Sequence, residues 1–152
     1  MTAGIGATAN AGIQYLVNGA INPTDLLIAG YVGAFTANTG FLGTVGWNAT
    51  GGVTSSYLLG DDTIKGGVIS GDASGLGYGI GKAATISLDK WVNPAWKNYE
   101  WVDMDMGISK PLPLSPIPVI SGNAISSIIT EATGQGGSKA TNSLQLGNEN
   151  EK

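Results

Sequence analysis

Between residues 3 and 87, small and apolar residues recur at spacings of three and four, which on an α-helix stacks them along one face. In residues 3–17, Ala3, Ala7 and Ala11 form one small row and Gly4, Thr8 and Gly12 the next. Ile5, Ile13, Leu16 and Val17 supply the apolar side, and Asn18-Gly19 is a helix stop. A second helix opens at Asn22-Pro23-Thr24-Asp25. Asn22 has an N-cap side chain, Pro23 suits the first helical position, and Asp25 suits the positive end of the helix dipole. This helix carries the row Ala29, Gly33 and Ala37 and closes at Asn38-Thr39-Gly40. A third, residues 41–59, spaces Gly43, Trp47, Gly51 and Ser55 by four, and Gly52, Ser56 and Gly60 likewise, before the polar turn Gly60-Asp61-Asp62.

The fourth segment, about residues 63–87, holds the most regular row: Gly67, Gly71, Gly75 and Gly79, continued by Ala83. On a helix this row is a flat groove against which another helix packs closely, the small-xxx-small arrangement of membrane helix pairs. Each interior glycine costs roughly 1 kcal/mol of helix propensity relative to alanine, so tertiary packing has to offset it. A β alternative stays open, because Gly75-Leu76-Gly77-Tyr78-Gly79-Ile80-Gly81 also alternates with period two. The pattern predicts a mostly α fold of Gly/Ala-zipper helical hairpins over residues 1–88, with Gly67, Gly71, Gly75 and Gly79 as the helix-packing residues.

The character then changes. Residues 89–133 form a Trp/Pro-rich segment with Trp91, Trp96, Tyr99 and Trp101, and Asn93-Pro94 as a break. Trp91, Trp96 and Trp101 are interface candidates, either as an aromatic belt at headgroup depth or as a cap on the end of a bundle. Lys110 to Pro118 contains four prolines, which predicts an extended, polyproline-like stretch, followed by a short helix over residues 121–133. Residues 134–152 are rich in Gly, Ser, Thr and Asn and then charged, the composition of a disordered tail.

Charge narrows the function classes. Only 12% of the 152 residues are charged, and Asp25 is the single charge before Asp61. The net charge of −4, with seven lysines and no arginine, offers no basic patch for nucleic acid. Without Cys or His the chain has no disulfides, thiolate or imidazole ligands, or His-based triads. The first lysine is Lys65, so no positive n-region of a secretory signal precedes it, and the expectation is export as part of a larger protein. Gly81-Lys82 fails as a phosphate loop, because Leu76 and Ala83 stand where glycine and Ser/Thr are needed. Glu100, Asp103 and Asp105 form the tight acidic cluster, more readily a solvated face than a cation site. No serine has a nucleophile-elbow context. The reading is no enzyme, with no catalytic residue, metal or cofactor. Residues 26–47 are long enough to cross a bilayer but are interrupted at Thr36-Ala37-Asn38-Thr39-Gly40, so they make a poor span.

Several runs carry a resemblance: Ala3-Gly4-Ile5-Gly6-Ala7, Gly75-Leu76-Gly77-Tyr78-Gly79-Ile80-Gly81-Lys82, Asn93-Pro94-Ala95-Trp96, Asp105-Met106-Gly107-Ile108-Ser109-Lys110 and Pro113-Leu114-Ser115-Pro116-Ile117-Pro118. In order and spacing they resemble a region near the C-terminus of large contact-dependent growth inhibition proteins of the CdiA, filamentous-haemagglutinin-like type. The resemblance implies an orphan effector-region fragment of a secreted, cell-surface competition toxin. Such a module engages, crosses or depolarises the target cell's inner membrane. The partners implied are that membrane or a membrane protein, and an immunity protein. The chain departs from the whole protein in lacking a secretion domain, a repeat filament and a Val-Glu-Asn-Asn boundary. The stretch after the Pro-rich run is too short for a nuclease. The alternative reading is a structural or protein-interaction module of an adhesin-like protein, without activity of its own.

Overall fold

A computed structural model describes residues 2–37, 39–99, 101–103 and 109–149. Five α-helices dominate: α1 (Thr2–Asn18), α2 (Pro23–Thr36), α3 (Phe41–Leu59), α4 (Thr63–Val92) and α5 (Ile117–Glu149). Between α4 and α5 lie a short 3₁₀ helix (Ala95–Tyr99) and an antiparallel pair, β1 (Trp101–Asp103) and β2 (Ser109–Pro111). Trp101 stands opposite Pro111, and Val102 opposite Lys110.

The helix boundaries follow local chemistry. The Asn22 side chain accepts from the Thr24 N–H at 2.9 Å, with Pro23 in the first turn of α2. Asp62 caps α4 by accepting from the N–H groups of Ile64 and Lys65 at 3.0 and 3.1 Å. Gly19 and Gly60 follow α1 and α3 with φ of 70° and 79°, the left-handed conformation that ends a helix without a Cβ penalty. Asn38, expected in the stop after α2, lies outside the described residues.

Consecutive helices pack on one another, α4 with α5 and α3 with α4 most extensively, and α5 closes the ring on α1. Glycine is required where helix backbones come close, as at Gly52 of α3, where a Cβ would collide with the Gly66 carbonyl oxygen of α4. A Cβ on Gly77 would lie 2.6 Å from the Ser126 carbonyl oxygen, and one on Gly81 would lie 2.6 Å from that of Gly122. Gly134 faces Ala73, and Gly137 faces Ile69. The antiparallel α4–α5 seam therefore matches Ala73, Gly77, Gly81 and Thr85 with Gly134, Thr130, Ser126 and Gly122.

Two expectations are corrected. The short helix of residues 121–133 and the disordered tail from residue 134 give way to one continuous α5 reaching Glu149. Its row of small residues fits the groove of α4, and that packing outweighs a composition that disfavours helix in isolation. The proline stretch is extended only in part. Pro111 ends β2, residues 112–115 are irregular, and Pro118 lies buried in the first turn of α5, where a missing N–H costs nothing. The alternating Gly75–Gly81 run is helical, within α4.

Candidate functional site: a polar axis in an apolar shell

The four zipper glycines occupy unequal positions on α4. Gly67 and Gly71 are buried against α3, toward Val53 and Ala49, and Gly75 faces Phe41 and Val45 at ordinary van der Waals distance. Gly79 is exposed, with open space where a Cβ would be. The seam against α5, through Gly77 and Gly81, is present in the sequence as a second spacing of four. Its partners Gly122, Ser126 and Thr130 lie in the expected short helix of residues 121–133. Trp91, Trp96 and Trp101 stand 86%, 55% and 61% exposed, at the end of α4 and in the segment that follows it. Trp47 instead stacks on Phe35, with ring centroids 4.6 Å apart. Glu100 and Asp105 of the acidic cluster lie outside the described residues, and no metal-binding group of carboxylates occurs among the described ones.

The distribution of polarity defines the site. Among the described residues the buried apolar side chains are Ala9, Ala73 and Pro118, whereas Gln14 is 2% exposed, and Asn10 and Ser74 are also buried. Large apolar side chains point outward instead, among them Leu16 at 79% and Leu42 at 82% exposure, with Leu27, Tyr31, Tyr57 and Ile64. An outward groove of about 650 Å³ between α1 and α5 is walled by Ile5, Ile13, Leu16 and Ile128. Scattered exposed apolar residues are ordinary, but polar groups inside and large apolar groups outside invert the usual arrangement.

Inside, a relay of hydrogen bonds links three elements. The Asn22 N–H donates to Gln14 Oε1 at 2.5 Å, Gln14 Nε2 donates to Asn10 Oδ1 at 2.7 Å, and Asn10 Nδ2 donates to Glu131 Oε2 at 2.7 Å. Ser55 Oγ donates to Asp25 Oδ1 across the same interior. Among the described residues no buried side-chain polar atom is left without a partner, which is what makes a polar interior tolerable. Lys139 Nζ donates to the Val17 carbonyl oxygen, and Asn18 Nδ2 to Gln135 Oε1, tying α1 to α5.

Four cavities follow one another along this interior, each sharing wall residues with the next. The first, about 160 Å³, lies at the α3–α4 turn beside Asp61, Asp62 and Lys65. It shares Ser56 and Asp61 with a second of about 250 Å³, which also meets Asp25, Asn10 and Glu131. A third of about 60 Å³, shared through Asn48, Thr130 and Glu131, is the smallest of the four. It joins a fourth of about 110 Å³ through Thr36, Thr44 and Ser127, reaching Thr39 in the α2–α3 connection.

The fold is thus a ring of helices packed through small residues, with its polar side inward. No protein-family model matches the chain, and no solved structure matches it. In an alignment of 139 positions that covers 84% of its length, it is 37% identical to a Yersinia pestis protein named Toxin CdiA. The chain is a relative of one segment of this CdiA toxin, as the motif runs implied, and it spans 4% of that protein's length.

Proposed function

We propose that the chain is the membrane-engaging module of a bacterial contact-dependent toxin, carried at the cell surface within a larger secreted protein. It acts at the target cell's inner membrane, depolarising it or passing an attached toxin part across it. The observation that carries this reading is the inverted polarity: Gln14, Asn10 and Ser74 buried, Leu16, Leu42 and Ile64 exposed. An apolar surrounding stabilises such a bundle by taking up the outer shell while the helices keep their backbone groups satisfied internally.

Among the described residues, no helix is long and apolar enough to cross a membrane. The inward half of each helix is small or polar, which lowers its average hydropathy. The affinity for lipid is then a property of the outward stripes taken together. Helices α1 and α3 contain no charged residue, and α2 contains only the inward Asp25. Exposed Asp72 and Lys82 on α4 would each cost about 2.5–3.5 kcal/mol at the bilayer centre, so α1, α2 and α3 offer the better lipid-facing side. In this reading the module has no catalytic chemistry and binds no nucleic acid, and an immunity protein is its protein antagonist.

The test is flotation of the purified chain with phosphatidylethanolamine–phosphatidylglycerol vesicles, with tryptophan fluorescence recorded in the same samples. Co-flotation with a blue shift of Trp emission is the expected result. A helical chain that stays in the aqueous fraction, with emission unchanged, refutes the membrane reading. That outcome favours a protein-interaction module whose apolar shell and exposed tryptophans are covered by neighbouring protein.

A further inference from the structure

The four cavities run between opposite ends of the bundle, from the α3–α4 turn at Asp61 to the α2–α3 connection at Thr39. Helix α3 joins those same ends, and its 19 residues measure roughly 28 Å at about 1.5 Å per residue. The hydrocarbon core of a bilayer is about 30 Å thick. The walls of this path mix aliphatic side chains such as Ile28, Val32 and Leu59 with hydroxyls, amides and carboxyls, polar groups that can stand in for part of an ion's hydration shell. In the three inner cavities the acidic lining residues are Asp25, Asp61 and Glu131, and no lysine lines them. Lys65 sits at the outer mouth beside Asp61 and Asp62, with its Nζ donating to Asn142 Oδ1 at 2.9 Å.

We propose that this series of cavities is a route for monovalent cations along the bundle axis, with the constriction at Asn48, Thr130 and Glu131 as its selective point. The inference rests on the membrane reading above and deepens it. Carboxylates along a path walled off by low-dielectric protein concentrate cations and repel anions. The constriction of about 60 Å³ has room for only a few waters, so a small cation passes largely stripped and a large solute does not. Asn10, donating to Glu131 at 2.7 Å, holds the carboxyl in place at this point.

The experiment uses the full chain with phosphatidylethanolamine–phosphatidylglycerol membranes. Flotation is scored first. Planar bilayers of the same lipids are then recorded under a KCl gradient at pH 8.5, above the value of about 7 to which burial raises the Glu131 carboxyl. The expected result is flotation, K⁺ passing about tenfold better than Cl⁻ (the scale of one unit charge several ångströms from the ion), and retention of a trapped dextran dye. Glu131→Gln keeps the side-chain shape and an acceptor for Asn10. Asp25→Asn removes a charge from a different helix. Both are expected to bring the K⁺/Cl⁻ ratio toward one, with flotation and helicity unchanged. Equal passage of K⁺ and Cl⁻ with loss of the dextran overturns the axial route, as does an unchanged ratio in both variants. Flotation without current overturns this inference and leaves the membrane reading standing. Failure to float overturns both.

Discussion

Replacing Gly81 by alanine, with Gly79→Ala as its control, isolates what the α4–α5 seam demands. Both substitutions lie on α4, two residues apart, and both gain about 0.5–1 kcal/mol of helix propensity, so that gain cancels between them. At Gly79 the new methyl meets nothing within 4 Å, and the variant is expected to be more stable than the parent by about that amount. At Gly81 the methyl would sit 2.6 Å from the Gly122 carbonyl oxygen and 2.6 Å from Ser126 Cβ. The obstruction is facing backbone and a side chain's first atom, so no rotamer relieves it and the helices have to separate. Overpacking of this kind costs about 1–3 kcal/mol. The two variants should therefore differ by about 1–3 kcal/mol, Gly81→Ala being the less stable. Urea unfolding followed by circular dichroism at 222 nm measures the difference. In thermal melts it corresponds to about 2–4 °C per kcal/mol for a chain of this size. Equal stabilisation by both substitutions would show that backbone approach does not limit the seam. Gly71→Ala, whose methyl would meet Ala49 Cβ at an ordinary 3.5 Å, should behave like Gly79→Ala.

Asn10→Ala removes the donor to Glu131 and the acceptor for Gln14, and is expected to lower stability by about 1–3 kcal/mol in the same assay. Asp62→Ala removes the α4 cap and should cost about 1 kcal/mol, with amide exchange accelerated in the first turn of α4. Leu42→Lys alters a side chain that is already exposed. Folding stability should stay within about 0.5 kcal/mol, while vesicle partitioning falls by at least about tenfold if that side of the bundle meets lipid. Unchanged partitioning would remove α3 from the lipid-facing side.

Much of the helical layout was legible because it is written in local chemistry. Asn22-Pro23 opens α2, Asp62 opens α4, and Gly19 and Gly60 end α1 and α3; these signals act within a turn or two of chain. The row Gly67, Gly71, Gly75 and Gly79 was visible for the same reason, since spacing of four defines a helical face. Which face meets which helix was not visible. Gly79 belongs to the same row as Gly71 and yet faces open space, while Gly77 and Gly81, one face over, meet the backbone of α5. Residues 134–149 look disordered by composition because Gly, Ser, Thr and Asn are poor helix formers in isolation, whereas in the fold this stretch packs on α4 at Gly134 and Gly137 and is tied to α1 at Gln135 and Lys139.

By itself the sequence determined that this is a weakly charged, glycine-rich helical chain related to one segment of a CdiA toxin, because composition, capping residues and identity are properties of the chain alone. The tertiary structure decided that the polar side of those helices faces inward. Asn10 and Gln14 lie one turn apart on α1, but Asp25 comes from α2 and Glu131 from α5, 121 residues beyond Asn10, and nothing local in the sequence states that they share an interior. That follows only from closing the ring, when α5 returns beside α1 and the small residues let the helices come close enough to enclose a polar axis.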